Sequence, residues 1–226
     1  MTIIPLDFIL VGLFFKMLKN YIKNDITKEY EKEKDMSSRI ELEASYILGK
    51  DYSNIYEKIR KENFIFISKN IEEDTYYTDK EETFIKDRIC LRTRKIDENF
   101  LELTYKPKVD DKLEKYGKKE INIELKVEDY NDIKYIIEEL GYIQYVSFKK
   151  HRETFSKQID GVEYNIMIDK IENVGSFIEL EILTDTEENK EKLATKLDEF
   201  VEKFECDKLE EKMLPYRDIV KNYKGE

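Results

Sequence analysis

The stretch GSFIELEIL (residues 175–183) sets Glu179 and Glu181 two residues apart in a run that is otherwise apolar through Phe177, Ile178, Leu180 and Ile182. Successive side chains of a strand point to opposite faces, so both carboxylates share one face and Ile178, Leu180 and Ile182 share the other. RIELEAS (residues 39–45) repeats the device with Glu41 and Glu43, flanked by Ile40 and Leu42. Two strands thus present paired carboxylates on one side and an apolar surface on the other.

The pattern around these strands occurs twice. RIELEASYI (39–47) leads into DYSNIYEKIRKE (51–62), with Ile55 and Ile59 at helical spacing, and then into strand-like runs near 63–68, 74–78, 89–95 and 100–106. EINIELKV (120–127) begins again, followed by the helical YNDIKYIIEELG, which has Ile133, Ile136, Ile137 and Leu140 on one face and Gly141 as a stop. Strands follow near 143–155, 162–169 and 176–183. Helix is expected over 186–205, on a stripe of Leu193, Leu197, Phe200, Val201 and Phe204, and again over 208–221. Strand, helix and several strands, twice over, predicts one α+β domain with an antiparallel sheet or barrel.

The chain has 226 residues, 51 acidic and 40 basic, and a net charge of −11. That balance argues against a general nucleic-acid binder, and any anion it handles must meet a local basic site. Cys90 and Cys206 lie far apart and fit no metal spacing, which suits a reducing, cytoplasmic setting. A single histidine, His151, argues against His-rich zinc sites and a His-based nucleophilic mechanism. The apolar run from Ile3 to Phe15 is interrupted by Pro5 and Asp7 and is too short to span a membrane. Residues 1–35 are expected to be either a tail, with Lys16, Lys19 and Lys23 supporting weak interfacial attachment, or an over-long translation start ahead of Met36. The folded domain is expected over 36–226.

Other strands also carry charge on one face: Arg92 and Arg94 in CLRTRK, Lys106 in LELTYKPK, Lys150 and Arg152 in FKKHRETF, and Asp169 at the end of NIMIDK. Antiparallel sheets commonly turn a polar face to water, and any one pair is explained that way. The set as a whole admits a second reading, a barrel with a charged interior. Burying that much charge is costly unless ions and ligand compensate it. Such an interior suits a divalent metal held by carboxylates, and a polyanion held by arginine forks.

The paired-Glu opening strand, DTYY (74–77), LRTR (91–94), LTYK (103–106), KHR (150–152) and DKIENVGSFIELE (169–181) resemble the CYTH superfamily of triphosphate tunnel metalloenzymes, and occur in that family's order up to PYRDIV (215–220). The resemblance implies a closed, eight-stranded antiparallel barrel with helices packed outside. It also implies Mg²⁺ or Mn²⁺ as cofactor and a small-molecule triphosphate as substrate, and homodimers are common in the family. By motif, Glu41, Glu43, Glu179, Glu181 and Asp169 are the expected metal-side carboxylates, and Arg92, Arg94, Lys106, Lys150 and Arg152 the expected phosphate clamp. Tyr76 and Lys106 stand where thiamine triphosphatase-like members place a Tyr–Lys base, and a nearby ammonium would favour the phenolate.

One departure bears on function. The family's opening motif is E-x-E-x-K, and here Ser45 stands at the lysine position. One lumen-facing cation is therefore expected to be missing. In the second opening strand Glu120, Asn122 and Glu124 share a face, with Glu124 the expected participant. Three activities remain open: a metal-dependent triphosphate hydrolase, an adenylyl cyclase of class IV type, and a polyphosphate or nucleotide binder that lost catalysis with the lysine.

Overall fold

A computed structural model of the protein describes residues 40–108, 120–184 and 190–225. The chain runs β1 (Ile40–Leu48), α1 (Ser53–Lys61), β2 (Ile65–Thr78), a short α2 (Thr83–Lys86), β3 (Cys90–Ile96), β4 (Phe100–Lys106), β5 (Ile121–Leu125), α3 (Tyr130–Glu139), β6 (Ile143–Ile159), β7 (Val162–Ile171), β8 (Gly175–Thr184), α4 (Lys190–Lys203), a two-residue β9 (Glu210–Glu211) and α5 (Tyr216–Lys224). Residues 1–35, with the expected tail or over-long start, lie outside the described residues. No helix among the described residues is long and apolar enough to cross a membrane.

Local chemistry accounts for the turning points. Asp51 Oδ1 accepts hydrogen bonds from the Ser53 amide and hydroxyl (3.1 and 2.9 Å), satisfying an otherwise orphan donor where α1 begins. Lys58, Arg60 and Lys61 occupy its last turn, where the helix dipole favours positive charge. Asp160 and Gly161, both at positive φ, form the two-residue turn that folds β6 back on β7.

All nine strands form one sheet in the order β5-β4-β3-β2-β6-β7-β8-β1-β9, with antiparallel pairing throughout. The eight expected strands are joined by a ninth. The hydrogen-bonded ladder ends at β5 and β9 and does not close among the described residues. Part of the reason lies at β1, whose second edge is taken by β9 through Tyr46↔Glu211 and Ile47↔Glu210. The sheet nonetheless curls, because Glu41 on β1 lies within electrostatic reach of Lys106 and Glu120 near the opposite end.

The apolar faces pack outward beneath helices. Leu193, Leu197, Phe200, Val201 and Phe204 of the α4 region bury against Leu42, Ile166, Ile168, Ile178, Leu180 and Ile182. Phe200 stacks on Phe64 with ring centroids 5.7 Å apart and meets Tyr164 edge-on at 5.2 Å. A second apolar cluster forms on the opposite, concave face, where Tyr216 and Val220 of α5 pack with Tyr76, Val146, Phe148 and Phe177.

Two expectations change. The runs near 63–68 and 74–78 are one continuous fourteen-residue strand, β2. The helix expected over 208–221 starts only at Tyr216, because Pro215 lacks the amide a helix interior needs, and it is preceded by a 3₁₀ turn at Cys206–Lys208 and by β9.

Candidate functional site

Register decides which side chains share the inner face. Glu43 lies opposite Glu181 and Ser45 opposite Glu179; Asn165 lies opposite Glu181, and Arg152 opposite Asp169. On the far side Glu72 pairs with Lys150, Asp74 with Arg94, and Tyr76 with Arg92, while Arg92 and Arg94 face Thr104 and Glu102 of β4. Directly opposed residues of an antiparallel pair point the same way. The expected carboxylates and cations therefore line a single concave face.

At one end of that face Glu41, Glu43 and Glu181 converge, with one carboxylate oxygen from each lying within 4.8 Å of the others. Burial, followed by the neighbouring Glu181, pushes Glu41 up to about 8. Glu43 and Glu181 are also raised, burial again being the main cause and adjacent carboxylates adding to it. Asn165 Nδ2 donates to Glu181 Oε1 at 3.0 Å and orients that carboxylate. Three convergent oxygen donors fit a hard divalent cation, which would offset both the burial and the mutual repulsion that disfavour their ionisation.

Glu179 and Asp169 are placed elsewhere. Arg152 grips Asp169 with two hydrogen bonds (2.7 and 2.5 Å) and donates to Glu179 Oε2 at 2.5 Å. Lys150, only 1% exposed, lies 3.2 Å from Asp169 and 3.1 Å from Glu72. Burial alone would raise Asp169, but Lys150 and Arg152 outweigh it and hold the carboxyl well below the usual range. Arg94 grips Asp74 in the same bidentate manner (2.6 and 2.8 Å) and reaches Glu72 at 3.0 Å. Asp74 is likewise depressed, because Arg94 and Arg92 outweigh its burial.

Arg92 donates to Thr104 at 2.9 Å and lies near Glu102 and Glu120 at 3.5 and 3.8 Å; its buried Nε has no hydrogen-bond partner among the described residues. An orphan guanidinium donor on this face fits an incoming anion. Lys106 pairs with Glu120. Glu120 thus joins the charged network from the second half, and Glu124, the carboxylate expected there, stands opposite Glu102 on the same face.

Tyr76 sits on a different footing from the expected base. It is 8% exposed and stacked on Phe148, and burial, with Asp74 adding to it, pushes the phenol up. Lys106, the expected partner, stands opposite Cys90, whereas Tyr76 stands opposite Arg92.

Sequence reading passed over Glu72, Asp74, Glu102 and Asn165. The available signal was period two: Glu72, Asp74 and Tyr76 alternate along β2 as Glu41 and Glu43 do along β1.

Comparison with known proteins gives this arrangement a family. The CYTH domain profile matches residues 39–211. The chain belongs to the CYTH family. A Methanocaldococcus jannaschii protein named "Putative adenylate cyclase MJ0240" is 34% identical over 132 residues, which span 58% of this CYTH protein and 70% of that one. The PH1819 protein of Pyrococcus horikoshii is 29% identical, with a TM-score of 0.65 over 81% of this chain and 99% of its own. HpAC1 of Hippeastrum, described as having a dominant triphosphatase activity, shares the fold at a TM-score of 0.55 and 12% identity, over 83% of this chain and 96% of its own.

Proposed function

We propose that this CYTH protein hydrolyses a triphosphate-bearing small molecule, such as tripolyphosphate, a nucleoside triphosphate or thiamine triphosphate, with Mg²⁺ or Mn²⁺ as cofactor. The observation that carries the reading is the convergence of Glu41, Glu43 and Glu181 on the same concave face as the arginine and lysine rows. In this proposal those three carboxylates hold the metal, and the curled sheet encloses the substrate as a tunnel. A divalent ion bound there would neutralise phosphoryl charge and polarise a phosphoryl oxygen.

The other residues bind and align. The face as described carries more carboxylates than cations, so a polyanion would be repelled unless metal and clamp act together. Arg92, Arg94, Lys150, Arg152 and Lys106 form the clamp, with the Arg92 Nε–H, unpartnered among the described residues, left to donate to an anion and the others already oriented by carboxylate partners. Phosphoryl transfer asks chiefly for in-line positioning and charge stabilisation, and a pre-oriented set of cations supplies both. Tyr76 carries no proton transfer in this scheme, because its surroundings disfavour phenolate.

A second reading, cyclisation of ATP to cyclic AMP and pyrophosphate, is favoured by the cyclase name of the M. jannaschii relative. One experiment separates the two. Full-length protein is incubated with tripolyphosphate, ATP or thiamine triphosphate and Mg²⁺ or Mn²⁺, and products are read by phosphorus NMR and mass spectrometry. Orthophosphate release that EDTA abolishes is expected. Cyclic AMP with pyrophosphate would select the cyclase, and turnover indifferent to EDTA would refute the metal-dependent mechanism.

A further inference from the structure

Ser45 leaves space on the inner face, and a cation from the segment just after β9 occupies it. β9 pairs with β1, and the amide of Lys212, the residue that directly follows β9, donates to the Ser45 carbonyl at 2.8 Å. This bond sets the Lys212 side chain beside the short Ser45, which faces Glu179 directly across the β1–β8 ladder. The Lys212 ammonium lies 3.7 Å from Glu179 Oε1 and 4.2 Å above the Tyr216 ring. A longer side chain at position 45 would point at the same spot.

We propose that Lys212 is a substrate-binding residue of the triphosphate site, contacting a phosphate oxygen from the position a lysine at residue 45 would otherwise fill. The inference rests on the functional reading above. Its support is the state of this ammonium. The Lys212 side chain is 9% exposed, yet its separation from Glu179 exceeds hydrogen-bond distance and none of its donors is hydrogen-bonded among the described residues. Glu179 is already engaged by Arg152 through its other oxygen. Arg94, Arg152 and Lys150, by contrast, are each held by at least two carboxylates. A largely enclosed ammonium that pairs only loosely with one carboxylate at 3.7 Å, with an aromatic ring beneath it at 4.2 Å, keeps donors available for an anion. The missing motif lysine is then a relocation of charge, and binding survives it.

The test is calorimetric titration of tripolyphosphate into full-length protein with saturating Mn²⁺, comparing wild type, Lys212→Met, Lys212→Arg, Ser45→Lys and the double variant Ser45→Lys/Lys212→Met. Lys212→Met is expected to weaken tripolyphosphate binding by about 10- to 100-fold, the worth of one charge-assisted hydrogen bond. Mn²⁺ binding without tripolyphosphate is expected to be no weaker, and Lys212→Arg to retain most of the affinity. Ser45→Lys alone brings no gain, since two ammoniums then compete for one position, whereas in the Lys212→Met background it restores binding. A lowered melting temperature with unchanged tripolyphosphate affinity in Lys212→Met would overturn the proposal, leaving Lys212 a structural partner of Glu179. Failure of the double variant to recover would overturn the shared position. Wild type that binds Mn²⁺ and no tripolyphosphate would instead bring down the functional reading itself.

Discussion

Asp169→Asn replaces a fully buried carboxylate of the inner face with a neutral group of the same shape. Asp169 is fully buried and answers two cations, Arg152 through two hydrogen bonds and Lys150 at 3.2 Å. An amide offers one oxygen to these donors and turns its own NH₂ toward a cation, so buried positive charge is left uncompensated. Breaking a buried ion pair on one side costs about 3–5 kcal/mol, which in a domain of this size lowers Tm by roughly 6–20 °C. The sign of the pH dependence follows from the depressed folded-state pKa of Asp169. Its contribution is complete well above the unfolded value of about 3.9 and is lost as pH falls from there toward the lower folded value. The gap between wild type and variant should therefore be widest near neutral pH and shrink in acid, where a protonated Asp169 resembles Asn. Urea and thermal unfolding, each at pH 7 and at about pH 3, measure the free-energy gap and the Tm. A Tm loss under about 2 °C at pH 7, or a gap that does not narrow in acid, would show that the Asp169–Arg152–Lys150 network is not holding charge as described.

Three further outcomes test the assignments around it. Glu181→Gln removes one of three convergent carboxylates and should weaken Mn²⁺ binding on the order of tenfold or more, about 1.4 kcal/mol, as measured by paramagnetic relaxation of water protons; unchanged affinity would disconnect Glu181 from the metal. Tyr76→Phe should keep turnover within a few-fold of wild type, since the phenol is pushed upward, and a fall on the order of 10²-fold or greater would reinstate Tyr76 in proton transfer. Phe200→Ala opens a cavity against Phe64, Tyr164 and Phe204 on the outer face and should cost about 3–5 kcal/mol in chemical denaturation while Mn²⁺ affinity stays the same; a large drop in metal affinity would mean that the outer core and the inner face are not energetically separate.

Period-two alternation made the inner face of β1 and β8 readable, because each paired a clean apolar stripe with a clean acidic one. The same rule was obscured along β2. Its stretch SKNIEED (68–74) has few apolar residues on either face, and reads as a loop until its neighbours are known. Register resolves it: Asn70 meets Arg152, Glu72 meets Lys150, and Asp74 meets Arg94, so acidic residues that look solvated are counter-charges for the inner-face cations. Lys212 follows a two-residue strand, too short for any periodicity, and only its pairing with β1 delivers its charge to the inner face.

Glu179 and Glu181 show where alternation stops being informative. They share a strand, a face and a residue type, which the sequence cannot tell apart. Cross-strand neighbours divide them. Arg152 reaches Glu179, and the cationic surroundings of that carboxylate outweigh its burial and favour its charge; Glu41 and Glu43 crowd Glu181, and burial with like charge disfavours its ionisation. Two residues along one strand, about 7 Å, thus separate, in the proposed function, a carboxylate that orients the phosphate clamp from one that holds the metal. Interchanging their neighbours, with Arg152→Met to strip the first and Asn165→Lys to supply a cation to the second, should move the preference for Mn²⁺ from Glu181 toward Glu179. Manganese affinity measured with Glu179→Gln added to that background would then fall, where the same substitution in wild type leaves it nearly unchanged. If Glu179→Gln weakens Mn²⁺ equally in both backgrounds, Glu179 is itself a metal ligand and the division of labour drawn from the register fails.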